Sequence, residues 1–340
     1  MTILVVFVAI AIIVIAISVA AGRRTGQSGR FQSSRGWSQD APPQALGVPE
    51  GHPARSAAER LEASFGYELE NKVKQRLLSE RPHMTDAEWN WTWFELKRFF
   101  LMCGILKGVP MYSRQADAVW HELLLFTREY EQSCIRFCGD QIHHAPHGQD
   151  ESPEPGERAW FDWVYGELFV QTPASGRIWG AFYRTRMDGA RLERLTTGDA
   201  DQLRTDLFNR KAAEQFADLR DVADYLIGRA KSQLSPKAGN AAYQEPGADR
   251  WGYDPAIGMT GVLTAALLTN SFMSQDQFDN AMDGIQTEEQ REANGSGYPV
   301  SVCGGTSDHS SHDGGGGHDS GSGSDGGGSS CGGGCGGGGE

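Results

Sequence analysis

Residues 57–103 read AAERLEASFGYELENKVKQRLLSERPHMTDAEWNWTWFELKRFFLMC, and this stretch decides the fold. Ala57, Leu61, Phe65, Leu69, Val73 and Leu77 recur at every fourth position, the apolar stripe of an amphipathic helix, and Pro82 closes the segment. Thr85 with Glu88 three residues on has the form of a capping box for a second helix. On it Trp89, Trp93, Leu96, Phe100 and Cys103 share a face, ending before Gly108-Val109-Pro110. The two segments are expected to pack face to face. Seven of the nine Trp lie between positions 89 and 179, which places the core there. No stretch alternates with a period of two, so the expected class is all-α, a helical-bundle domain over 55–235.

Further helices follow downstream. QADAVWHELLL (115–125) and REYEQSCIRFC (128–138) read as short helices, the second capped by Thr127 and stopped at Gly139. The aromatic run 157–169 and a longer stretch at 200–234, with Leu203, Leu207, Phe216, Leu219, Ala223, Leu226 and Ile227 apolar, read as helix. Residues 236–294 are expected to be loop around one short apolar helix, 255–273. That run is short for a membrane span, so a buried or self-associating helix is expected, with an interfacial or membrane-inserted segment as the alternative.

The two ends differ from the body. TILVVFVAIAIIVIAISVAA (2–21) carries no charge and is long enough, at about 30 Å as a helix, to cross a hydrocarbon core. An N-terminal transmembrane helix within 1–22 is therefore expected, the chain's membrane contact being residues 2–21. A cleaved signal ending near Ser18-Val19-Ala20 is the alternative. Arg23 and Arg24 follow directly, and the positive-inside tendency puts the bulk of this single-pass chain on the cytoplasmic side. Residues 23–54 read as a flexible juxtamembrane linker. Residues 295–340 hold 20 of the 44 glycines, no Lys or Arg and a net charge of −5, a disordered Gly-rich tail without an apolar core. The full chain carries −13, and 55–294 carries −10 of that, which excludes a nucleic-acid-binding body.

Chemistry concentrates in DAVWHELLLFTREYEQSCIRFCGDQIHHAPH (117–147). Imidazole and thiolate are ligands for zinc and its neighbours, so His121, Cys134, His143 and His144 are candidate ligands of a divalent transition metal such as zinc. Asp117, four residues before His121 on the same helix face, is a supporting group behind them. The plainer reading makes Cys134 and Cys138 buried packing thiols, like Cys103, and the histidine turn a polar exit loop. A third reading gives His121 a catalytic role, with Asp117 or Glu122 as partner, in a hydrolase-like site. The same run resembles the recurring Asp-x-x-Trp-His, Tyr, Cys, Gly and His-His-x-Pro pattern of the glycine-rich domain-containing proteins. The matching positions are Asp117, Trp120, His121, Tyr130, Cys134, Gly139, His143, His144 and Pro146. That resemblance implies a helical domain of unassigned activity followed by a glycine-rich tail, and it supplies no reaction. No phosphate-binding loop, dinucleotide fingerprint or nucleophile elbow occurs. The leading expectation is a membrane-tethered interaction or scaffold module with an unidentified protein partner. The alternative is a metal-binding helical domain.

Overall fold

A computed structural model of the chain describes residues 36–144, 155–235 and 259–295. These residues fall within the first of two units, Met1–Gly304, and the second, Gly305–Glu340, lies outside them. The expected membrane helix 2–21, linker residues 23–35, Pro146 and the tail from 296 onward are likewise outside the described residues. Among the described residues the protein is all-α, with fourteen helices and no strand. None of these helices is long and apolar enough to cross a membrane.

The periodic stretch forms α1 (Arg55–Ser64) and α2 (Tyr67–Glu80) rather than one helix, because the backbone turns at Gly66. Ala57, Leu61, Phe65, Leu69, Val73 and Leu77 are nevertheless all buried, so the fourfold spacing persists through the corner. Next comes α3 (Asp86–Ile105). Thr85 caps it by accepting from the Glu88 amide at 3.2 Å, while the Glu88 carboxylate accepts from Gln115 at 2.7 Å. The expected single apolar face of α3 is exceeded. Trp91, Phe94, Phe99, Leu101 and Met102 are buried as well, since the helix runs through the middle of the domain with neighbours on several sides.

Around it pack α4 (Arg114–Leu124), α5 (Thr127–Cys138), α6 (Pro155–Leu168) and α7 (Pro173–Trp179). Ser113 caps α4 by accepting from the Ala116 amide. Thr127, expected as a cap, begins α5 instead and donates its hydroxyl back to the Leu124 carbonyl at 3.1 Å. The stretch expected as one helix over 200–234 is α9 (Ala200–Leu207), α10 (Arg210–Gln215) and α11 (Ala217–Gln233), after α8 (Gly189–Thr197). The break follows from Phe208, whose extended backbone pairs with Leu106, and from Asn209, which accepts from the Ala212 amide to restart the helix.

Within 255–273, α12 (Met259–Asn270) packs on α6 and buries Leu263, Leu267 and Leu268. Thr264 donates to the buried Glu167 at 2.5 Å, joining Arg229 (2.7 Å) and Gln233 (2.8 Å) on that carboxylate. The chain continues as α13 (Gln275–Ile285) and α14 (Glu288–Ala293), two capped helices where a loop was expected.

Linker residues 36–54, expected as flexible, run as a strap on the body. Ala45, Leu46, Val48 and His52 are buried, and Trp37 lies over the Arg177 guanidinium at 4.3 Å. Ala45 and Leu46 adopt left-handed φ values of 48° and 56°. Such a turn persists only where its surroundings hold it. Here the Ala45 amide donates to Glu62 at 3.0 Å and the Leu46 carbonyl accepts from Arg98 at 2.8 Å.

Candidate metal centre

α4 places Asp117 and His121 one turn apart on its outer face, while Trp120, between them, points inward and packs edge-on against Phe99 and Phe100. After α5 the chain turns at Gly139, left-handed at φ 82°, and returns toward α4 through Gln141–His144. The return brings His144 Nε2 to 2.7 Å from Asp117 Oδ1, and sets the imidazole ring against Trp120 at 4.5 Å with an interplanar angle of 72°. His121 Nδ1 lies 3.6 Å from the other oxygen, Asp117 Oδ2, and the two imidazoles are 4.6 Å apart at their centres.

One ligand atom from each of Asp117, His121 and His144 therefore lies within 4.8 Å of the others. Ligand bonds of about 2.1 Å in a tetrahedral shell keep donor atoms about 3.4 Å apart. Asp117 Oδ2 stands 3.6 Å from His121 Nδ1, close to that length, while Asp117 Oδ1, 2.7 Å from His144 Nε2, would move about 0.7 Å away to reach it. Exposure is graded across the three, 10% for the His144 side chain, 29% for Asp117 and 54% for His121. The centre is thus walled by Trp120 on one side and open to solvent on the other. Three protein ligands with one open position is the arrangement that leaves room for water or an incoming group.

The other expected ligands are placed elsewhere. Cys134 is buried in a thiol group with Cys103 and Cys138. Burial pushes its pKa up to about 11. Burial raises the other two thiols as well. A protonated, enclosed thiol is a poor ligand. His143 is exposed and outside the group. Asp117, expected as a supporting carboxylate, offers one of the three converging ligand atoms. The i, i+4 spacing of Asp117 and His121 was the available signal for that.

Tyr130 and Trp120 form the wall behind the centre. The Trp120 indole N–H donates to the Tyr130 hydroxyl at 3.0 Å, and that hydroxyl donates to the Ile142 carbonyl at 2.6 Å.

A second concavity, about 340 Å³, lies between the α1–α2 corner and α5. It is lined by Ser64, Tyr67, Lys72, Glu129, Ser133 and Arg136 among others. Tyr67 is 76% exposed there.

In comparison with known proteins, residues 59–159 match the model of an uncharacterised family described as UCP032817-like, and the family carries no glycine-rich designation. No curated protein and no solved structure matches. The matched residues contain the whole Asp117–His121–His144 centre and every residue lining the cleft.

Proposed function

We propose that the helical domain is a metal-binding module that holds a divalent transition metal, zinc first among them, on Asp117, His121 and His144. The carrying observation is the approach of three ligand atoms from α4 and the Gln141–His144 return to within 4.8 Å. Two neutral imidazoles and a carboxylate are borderline ligands suited to zinc and to other late divalent metals. The apolar run 2–21 followed by Arg23 and Arg24 tethers the module to a membrane with its body on the cytoplasmic side.

The full-length chain, purified in detergent, is expected to bind zinc with one equivalent lost on His144→Ala. The His and Cys residues of the tail are common to both proteins and supply the background. Equal zinc content in the two chains sinks the reading. The open position is also where a hydrolytic zinc centre holds its water. Ester or phosphoester hydrolysis by the zinc-loaded chain, abolished by His144→Ala, would convert the module into an enzyme.

The interaction-module reading rests on the cleft lined by the exposed Tyr67 and by Arg136. Crosslinks to a protein partner in native membranes that vanish on Tyr67→Ala would support it, and crosslinks indifferent to that change would remove the cleft from consideration.

A further inference from the structure

We propose that Tyr130 is a positioning residue for the metal centre, setting the His144 imidazole by gripping the Ile142 peptide two residues upstream. The inference rests on the metal reading above. Tyr130 is fully buried on α5, its ring against Phe65 and Phe100, so its hydroxyl has a fixed place. From there it donates to the Ile142 carbonyl at 2.6 Å and accepts from the Trp120 indole at 3.0 Å. The segment that carries His144 is thereby tied to α5 immediately before the ligand. Trp120 closes the loop. The same indole that donates to Tyr130 presents its ring to His144 at 4.5 Å, and it belongs to the helix that supplies Asp117 and His121.

The residues thus form a ring of contacts, α4 to α5 to Ile142 to His144 and back to α4. Its polar links are buried, where they are strongest and where a missing partner costs most. Groups that orient a ligand without touching the metal typically change metal affinity about 10–100-fold when removed.

The test uses the full-length chain, zinc competition against a chromophoric chelator and the visible absorption of the cobalt(II) form. Circular dichroism of the metal-free protein reports the fold. Tyr130→Phe, which removes only the hydroxyl, is expected to weaken zinc binding about 10–100-fold and to alter the cobalt spectrum with helical content unchanged. Tyr112→Phe is the matched control, because the buried Tyr112 hydroxyl has no hydrogen-bond partner, and it is expected to leave affinity and spectrum as they are. Trp120→Phe keeps an aromatic edge toward His144 and deletes the indole donor, so it should shift both readouts in the direction of Tyr130→Phe by a smaller factor. Wild-type affinity in Tyr130→Phe, with a wild-type cobalt spectrum, overturns the proposal. If Tyr130→Phe does not fold, wild-type affinity in a folded Trp120→Phe overturns it in its place. Identical zinc binding by wild type and His144→Ala is a separate result, since it removes the metal centre itself.

Discussion

Two carboxylates in this domain illustrate opposite uses of the same group. Glu95, in the middle of α3, is fully buried and accepts from four donors, Ser175 Oγ at 2.8 Å and Arg98 at 3.3 Å on one oxygen, Tyr165 OH at 2.6 Å and the Trp179 indole at 2.8 Å on the other. Four is about the full acceptor capacity of a carboxylate. Arg98 is equally saturated, giving further bonds to Leu46, Tyr165 and Val170 and lying over the Phe94 ring at 4.3 Å. Asp117 is half-exposed, with one oxygen near His144 and the other beyond hydrogen-bond range of His121. A carboxylate whose lone pairs are all taken by the protein is architecture. One that keeps lone pairs free beside two imidazoles has capacity left for a cation.

Substitution at each centre tests that contrast most strongly. Arg98→Met leaves Glu95 charged and buried without its counter-ion, and is expected to cost about 3–5 kcal/mol, read as a lower midpoint in urea unfolding. It should also release the left-handed turn at Ala45–Leu46, so that the strap becomes susceptible to limited proteolysis. Asp117→Asn, in contrast, is expected to change the stability of the metal-free chain by less than about 1 kcal/mol, as is usual for a solvent-screened pair, while abolishing zinc binding. Comparable stability losses at the two positions would erase the distinction between closed and open centre.

A second expectation follows from the closed half of the molecule. His52, on the strap, is buried, and that burial holds its pKa down at about 4, against the opposing pull of Glu167. The folded state therefore keeps the ring neutral where the unfolded chain, at an ordinary value of about 6.5, binds a proton. Stability from this group is complete above about pH 6.5 and is lost as the pH falls toward 4, a total of about 3 kcal/mol. In His52→Asn, whose side-chain oxygen can replace Nδ1 as acceptor for the Ala54 amide, the difference in unfolding free energy between pH 6.5 and pH 4 should shrink by that amount. A slope equal to that of the wild type would show that burial does not set the charge of this ring.

The closed centre was visible in the sequence only as a core, and the open one only as a composition. The fourfold stripe of 57–77 and the Trp-rich stretch from Trp89 marked the right residues for burial. Nothing local said that α3 would be surrounded, because its Glu95 and Arg98 look like an ordinary solvent-facing i, i+3 pair until Ser175, Tyr165 and Trp179 arrive from far along the chain. For the candidate metal centre, the histidine and cysteine count pointed to 117–147, the run that holds the three converging ligand atoms. Direction was missing: His143 and His144 are neighbours with opposite fates, and Cys134 belongs to the buried side of α5. The ordered strap was hidden for a related reason. Its Gly, Pro and Gln content reads as coil, and its order comes from Glu62 in the helix that follows it and from Arg98, 52 residues beyond Leu46.

The smallest expected effect concerns the turn that carries the chain from the packed side of α5 to the open centre. Gly139 accomplishes it with φ 82°, a conformation that costs other residues about 1–2 kcal/mol. A Cβ there would also stand 1.9 Å from Gln215 Oε1, the end of a side chain that can swing away. Gly139→Ala is thus expected to destabilise by about 1–2 kcal/mol, nearly all of it backbone strain, and Gly139→Asn by less, since Asn tolerates the left-handed region. Gly228 offers the counterpart inside α11, where a Cβ meets nothing within 4 Å. Gly228→Ala should stabilise by about 0.5–1 kcal/mol through helix propensity alone. Zinc affinity separates the two further. Gly139→Ala perturbs the return that delivers His144 and should weaken binding, whereas Gly228→Ala should leave it unchanged. If Gly139→Ala lowers stability and spares zinc affinity, the His144 position is set entirely downstream of the turn, by the Tyr130 grip on Ile142.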